Sequence, residues 1–294
     1  MELLRSLIFV PGNRADMLEK ARDFPADVIV ADLEDSVPPR EKLAARDMVR
    51  QLAPGLCPKG QKLMVRLNSL DTGLTQEELA AVIGPHLYGI SLGKVDSPWD
   101  VREMERIAST LEAAHGLEHG HLRLIPWLES ARGVRLSYEI ATASPRIVGV
   151  AFGAEDYTQD MGVRRTESGD EVYHARAEVA AAARAARVLA LDGVFVRFRD
   201  QEGLQADIDQ ATSLGYKGKF AIHPAQIDTI NRLFSPRPED VEHARRVVQA
   251  WEHAEESGHG SVALDGQMVD VPVVKRARDL LALAQAIEAA SKPG

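Results

Sequence analysis

Short apolar runs alternate with longer amphipathic stretches along most of the chain. The segments 7–10 (LIFV), 28–33 (VIVADL), 63–67 (LMVRL), 89–92 (GISL), 122–128 (LRLIPWL), 147–152 (IVGVAF), 193–198 (GVFVRF) and 219–222 (KFAI) read as strands. LIFV and VIVA are continuously apolar rather than alternating, as strands covered on both faces are. Between the runs, apolar residues recur at three- and four-residue spacing, for instance over 178–191, the period of a helix with one buried face. Eight strand–helix units in this length predict a (β/α)8 TIM barrel over residues 1–235. A doubly wound open sheet is the alternative, since periodicity does not report closure.

After Ser235 the pattern changes. In SPRPED, Pro236 breaks one helix and Pro238 opens the next, which runs to about Glu256. GHGSVALDGQMVDVP follows, then a last helix from about Val273. The region 236–294 exceeds the needs of a barrel and is predicted to be a helical extension, able to lid its own site or that of a neighbouring subunit.

Apolar residues make up 45% of the chain, ample for a buried core. The net charge of −9, with no stripe of basic and aromatic residues, argues against nucleic-acid binding. No apolar run approaches the length of a membrane span, and the one in MELLRSLIFVPGNR is too short and too soon charged for a signal peptide. A single cysteine, Cys57, excludes an internal disulfide framework and suits a reducing compartment. A soluble cytoplasmic protein is the expectation.

The candidate chemistry gathers at strand ends. LRLIPWL leads to Glu129 and IVGVAFGAE leads to Asp156, 27 positions on, about one strand–helix–strand repeat. In parallel neighbours both carboxylates sit at the sheet end where α/β folds place their sites. Two hard oxygen ligands there suit Mg²⁺, which keeps other positions for water and substrate. Each acid alone could instead cap its following helix, and Glu155 competes with Asp156 as the ligand.

The second strand ends in Asp32, Glu34 and Asp35, with alternation placing the first two on one side and Asp35 on the other. Such a cluster needs a cation or hydrogen bonds to hold it. It reads either as a solvated loop or as support that orients metal-bound water and an arginine. Arg66, ending the third strand, can hold a carboxylate bidentately or stabilise an enolate oxygen, and equally can pair with Glu34 or Asp32. Lys94, after the fourth strand, reads as a phosphate contact or a surface lysine; Arg14, beside a Gly turn near a helix start, suits phosphate or belongs to an ordinary strand-to-helix turn. His223 reads first as a packed polar residue, and Asp270 by itself as a loop acid. GxSxG, P-loop, HExxH, CxxC and GxGxxG patterns do not occur.

RSLIFVPGNR, ADLEDSVPP, MVRLNS, WLESARGV, FGAEDYTQDMG, GKFAIHPAQI and LDGQMVDVP together, in this order, resemble the HpcH/HpaI aldolase and citrate lyase β-subunit family, in its CitE-like branch. The resemblance implies a (β/α)8 barrel, usually a homotrimer, with Mg²⁺ on Glu129 and Asp156. It implies cleavage or formation of a carbon–carbon bond between an acyl-CoA or acyl-carrier thioester and a 2-oxo acid. Asp270 matches an aspartate that, in relatives acting on CoA esters, transfers protons in a neighbouring subunit's site. The candidate catalytic set is then Arg66, Asp270 and Glu34, and the candidate substrate contacts are Arg66, Glu129, Arg14 and Lys94.

Two departures bear on this. Where relatives commonly have DFRD, this chain has RFRD with Arg197 first, a reversal of local charge. Where relatives often have proline before the lysine, it has Gly93, which loosens the backbone. The expected activity is a lyase acting on a 3-hydroxyacyl-CoA such as citramalyl-CoA or malyl-CoA. Two alternatives stand: a citrate lyase β subunit acting on a carrier-protein thioester, and an impaired protein that binds a CoA ester without turnover.

Overall fold

The computed structural model describes residues 2–256 and 260–290, which form two compact units, Leu4–Asn231 and a second that joins residues 2–3 to the chain from Arg232 onward. In the first, eight parallel strands close into a barrel: β1 (Ser6–Pro11), β2 (Val28–Asp32), β3 (Lys62–Leu67), β4 (Gly89–Leu92), β5 (Arg123–Leu128), β6 (Gly149–Phe152), β7 (Leu189–Asp192) and β8 (Gly218–Ala221). β1 closes the ring on β8, with Leu7 beside Phe220. The open-sheet alternative is thereby excluded.

Seven strands lie within two residues of where hydropathy puts them; the seventh does not. It is LALD at 189–192, and GVFVRF at 193–198 is the loop after it. The preceding helix, Asp170–Ala186, ends where Arg187 turns left-handed at φ 62°, with no glycine or proline to mark the stop. LALD lacks β-branched residues and prolongs the Ala/Leu pattern of that helix, whereas VFV has the composition of a strand.

Inside the barrel, alternate residues of successive strands fill the core: Leu7, Val28 and Val30, Met64, Ile125 and Trp127, Ala151, Leu191 and Phe220. Phe9, Trp127 and Phe220 pack with ring centroids 4.4–5.7 Å apart. Trp127 Nε1 donates to Ser91 Oγ at 2.8 Å, so its buried N–H is satisfied. This plug makes the barrel a packed core and leaves only its rim for chemistry. On its other face, the end of β7 carries a buried ion cluster: Asp192 takes a fork from Arg176 (2.7 and 2.9 Å) and a contact from Lys219, which also reaches Asp207.

The second unit contains helices Pro238–Glu256 and Val271–Ala290 with a hairpin between them, β9 (Val262–Leu264) and β10 (Gln267–Val269). Its two-residue turn, Asp265–Gly266, has positive φ at both positions, as tight hairpins require. Ala244, Val247, Trp251, Val269, Val274 and Ala277 form its core. The hairpin lies within GHGSVALDGQMVDVP, and the last helix starts at Val271, two residues before the expected Val273. Residues 258–259 of that phrase lie outside the described residues. No helix among the described residues is long and apolar enough to cross a membrane.

Candidate active site

The inward positions of the barrel continue upward into charged residues. Val28 and Val30 are followed two residues on by Asp32, Met64 by Arg66, and Ile125 and Trp127 by Glu129. Asp32 and Arg66 are register partners on neighbouring strands, so their side chains stand together. Arg66 donates from Nε to Asp32 Oδ1 at 2.7 Å and from Nη2 to Oδ2 at 2.6 Å, the bidentate fork. Its guanidinium lies 4.3 Å over the Phe9 ring. The remaining nitrogen, Nη1, is 3.3 Å from both Glu34 Oε2 and Asp35 Oδ2.

Burial pulls the Asp32 carboxyl upward, but the hydrogen bonds and charge of Arg66 outweigh it, leaving the group below the usual carboxylate range. Main-chain N–H groups of Glu34 and Ser36 also donate to Asp32. Glu34 goes the other way, raised mainly by burial and also by the Asp35 charge. Asp35 is a correction: β2 ends at Asp32 and a turn follows, so strand alternation no longer applies and Asp35 faces the same arginine as Glu34.

Glu129 is buried at the end of β5. Its carboxyl is pushed up to about 8, chiefly by burial and further by the charges of Asp156 and Glu34. Oε2 accepts from the Lys94 main-chain N–H at 2.8 Å. Gly153, two residues beyond the inward Ala151 on neighbouring β6, makes room for it: a β-carbon there would stand 2.5 Å from Glu129 Cγ and Oε1. The next turn is pinned from two sides. Ser130 donates to Asp96 and accepts from the Gly133 N–H, and Ala131 N–H donates to Asp160 at 2.8 Å. Gly153→Ala is expected to displace the Glu129 carboxylate and weaken Mg²⁺ binding at least tenfold while leaving a folded barrel, to be read by titration calorimetry and circular dichroism.

Asp156 sits in the first turn of the helix Ala154–Asp160 that follows β6. Its neighbour Glu155 pairs with Arg165 at 3.4 Å, so that side chain has a cation of its own. Among the described residues no three His, Cys, Asp or Glu side chains converge as a complete metal cage. Two hard carboxylates, one with Oε1 left free by its main-chain donor, fit Mg²⁺, which dehydrates reluctantly and keeps waters.

Lys94 belongs to this centre: Nζ is 3.1 Å from Glu34 Oε1 and 3.4 Å from Asp35 Oδ1. Gly93 contributes space rather than looseness, because a β-carbon there would lie 2.8 and 2.9 Å from the Glu34 oxygens. Arg14 pairs with Asp16 at 3.1 Å, both half-exposed, and makes no ion pair with the rim acids. His223 accepts from Ala225 N–H through Nδ1 and stacks on Phe198 at 4.7 Å, the packed role. Arg197 pairs with Glu167 and Asp200, bridging the loops after β6 and β7. A cavity of about 430 Å³ lies between those loops, lined by Glu155, Arg165, Glu167, Phe195, Arg197 and Asp207 among others. In the second unit, Asp270 precedes the last helix, and its Oδ1 accepts from Val273 N–H at 3.2 Å. Phe9 and Gly153 escaped the sequence reading, although each stands two residues along from an inward position.

The fold accords with comparison to known proteins. The family model described as HpcH/HpaI aldolase/citrate lyase matches residues 5–224. The citrate lyase subunit beta of Escherichia coli (strain K12) is 39% identical over 96% of this chain and 93% of its own. A (3S)-malyl-CoA thioesterase of Cereibacter sphaeroides (strain KD131) is 35% identical over 97% and 96%. Among solved structures, the CitE protein of Mycobacterium tuberculosis in complex with magnesium, acetoacetate and coenzyme A superposes with a TM-score of 0.76 at 32% identity, covering 95% of this chain and 97% of that one. With a full set of barrel strands and near-complete coverage, the chain belongs to the HpcH/HpaI aldolase/citrate lyase family of carbon–carbon lyases.

Proposed function

We propose that this chain is a Mg²⁺-dependent CitE-like lyase that cleaves, or forms, the carbon–carbon bond of a 3-hydroxyacyl-CoA such as citramalyl-CoA or malyl-CoA, giving acetyl-CoA and a 2-oxo acid. The observation that carries this reading is the rim itself: Glu129 with the charge of Asp156 beside it, and Arg66 fixed by Asp32, all gathered at the C-terminal ends of barrel strands. The name of the (3S)-malyl-CoA thioesterase relative supports malyl-CoA as the class of substrate, and that of a structure holding magnesium and coenzyme A supports the metal and the thioester.

Glu129 and Asp156 would hold the ion, which when bound supplies Lewis-acid polarisation of the oxo-acid half. Arg66 commits two nitrogens to Asp32, so Nη1, which it shares with Glu34 and Asp35, is the edge through which it would meet a substrate carboxylate or developing oxyanion. Glu34, raised by burial and within 3.3 Å of that edge, is a group that can hold or pass a proton there. Asp270 is assigned proton transfer to the thioester enolate, in a homotrimer where one subunit's extension serves its neighbour's barrel. Asp270→Asn is then expected to lower kcat at least a hundredfold with Mg²⁺ affinity unchanged; full activity would return Asp270 to a helix cap.

The test is a coupled assay of the purified full chain on citramalyl-CoA and malyl-CoA, with Mg²⁺ and with EDTA. Metal-dependent acetyl-CoA and 2-oxo acid are expected. Free CoA with an intact hydroxy acid would instead mean thioester hydrolysis. A second reading is favoured by the citrate lyase beta subunits at 38–39% identity: the same chemistry on a carrier-protein thioester. Activity only with the carrier-linked acyl group would select it.

A further inference from the structure

Among the described residues, three other than glycine have positive φ: Lys94, Arg187 and Asp265. Arg187 ends a helix and Asp265 turns a hairpin, ordinary places for that conformation. Lys94, at φ 56°, sits on the rim among the acids. It is caught between the end of β4 at Leu92 and Val95, a buried residue whose N–H donates to the Trp127 carbonyl at 3.1 Å. A left-handed backbone disfavours a side chain, and such strain concentrates where surrounding structure demands a particular geometry.

Two contacts account for the geometry. The left-handed turn aims the Lys94 N–H at Glu129 Oε2, 2.8 Å away. The side chain reaches Glu34 Oε1 at 3.1 Å, while Gly93 leaves the space that the Glu34 carboxylate fills. Glycine at position 94 would supply the N–H without strain, but no ammonium. We infer that Lys94 is a positioning residue: its strained main chain holds Glu129 and its ammonium holds Glu34, so one residue fixes the spacing of two buried carboxylates from different strand ends. This assignment replaces that of a surface phosphate contact, and its kinetic part rests on the lyase reading above.

The experiment compares the full-length wild type with Lys94→Gly, Lys94→Ala, Glu34→Gln and the double variant Lys94→Gly/Glu34→Gln. Melting of the metal-free proteins tests the main chain. Gly and Ala both lack the ammonium and keep the N–H, so the Gly variant should melt about 2–4 °C above the Ala variant. Equal or inverted order overturns the main-chain role. Calorimetric titration with Mg²⁺ should give Lys94→Gly a Kd within about threefold of wild type, because the N–H on Glu129 remains; a larger loss overturns that assignment. Turnover tests the side chain: kcat should fall about tenfold or more in Lys94→Gly, and the double variant should be no slower than Glu34→Gln alone. Unchanged kcat, or losses that multiply, overturns the pairing with Glu34. A wild type that neither binds Mg²⁺ nor turns over either ester would reject the lyase reading instead, while the melting order would still judge the main chain.

Discussion

Glu129→Gln is expected to raise the melting temperature of the metal-free protein at pH 8 and above while abolishing Mg²⁺ binding and turnover. The buried carboxyl has its pKa lifted to about 8, against an ordinary value near 4.5. Burial is the main cause; Asp156 and Glu34 add to it, while the Lys94 N–H and the Arg66 charge oppose it. Between those two values the folded protein holds a proton that the unfolded chain has released. Stability therefore falls as pH rises through the window and levels off above about 8. A shift of this size corresponds to roughly 4–5 kcal/mol as an upper limit. Gln is isosteric, can still accept the Lys94 N–H, and cannot ionise. The wild-type minus variant difference in melting temperature should therefore be small near pH 5 and grow to several degrees in favour of Gln by pH 8.5. On the proposed site Mg²⁺ would have to displace the same proton, so wild-type affinity should climb up to about tenfold per pH unit below 8. Scanning calorimetry across this range, with and without Mg²⁺, decides it. A variant that melts below wild type at every pH would mean that Glu129 is ionised in the folded state.

Most of the scaffold is legible because β2 to β5 are buried on both faces, and continuous apolar runs such as VIVA can hardly be anything else. β7 is illegible for the opposite reason: four unbranched residues follow an Ala-rich helix that ends on a left-handed arginine. At the site, residue identity was readable but proximity was not. Asp32 and Glu34 can be named as partners of Arg66, yet parallel register gives Asp32 the fork, and the turn after β2 brings in Asp35, which strand alternation points away, to share one nitrogen with Glu34. Glu155 and Asp156 look alike in sequence; Arg165, ten residues from Glu155 along the chain, pairs with the former. Least readable are residues that act by being small. Gly93 and Gly153 carry no chemistry, and their function is the volume they leave to Glu34 and Glu129.

Arg66→Met should have the largest stability cost on the rim, and the argument lies in what remains behind. Asp32 has no exposed surface, and its two carboxylate oxygens lose the fork at 2.6 and 2.7 Å. Glu34 and Asp35 lose the same cation. Stranding a buried charge costs about 3–5 kcal/mol, which for a chain of this size is on the order of a 10 °C fall in melting temperature. The pH dependence identifies the cause. In the wild type Asp32 lies below the usual carboxylate range, so its contribution is present above about pH 4 and lost as pH falls. Without Arg66, burial is left unopposed by the fork and raises the carboxyl, so the variant should lose stability as pH rises. The gap between the two proteins should therefore widen from pH 4 to pH 8. Asp32→Asn in the Arg66→Met background should recover much of it, since a neutral amide needs no cation. Arg66→Lys separates charge from shape: an ammonium restores the sign but neither the bidentate contact nor the planar face over Phe9. Its melting temperature should fall between wild type and Met, with kcat/KM reduced about a hundredfold against roughly a thousandfold or more for Met. If Lys restores full turnover, the rim needs only a point charge. If Met melts like wild type, the Arg66–Asp32 pair is not what holds β2 and β3 in register at the mouth of the barrel.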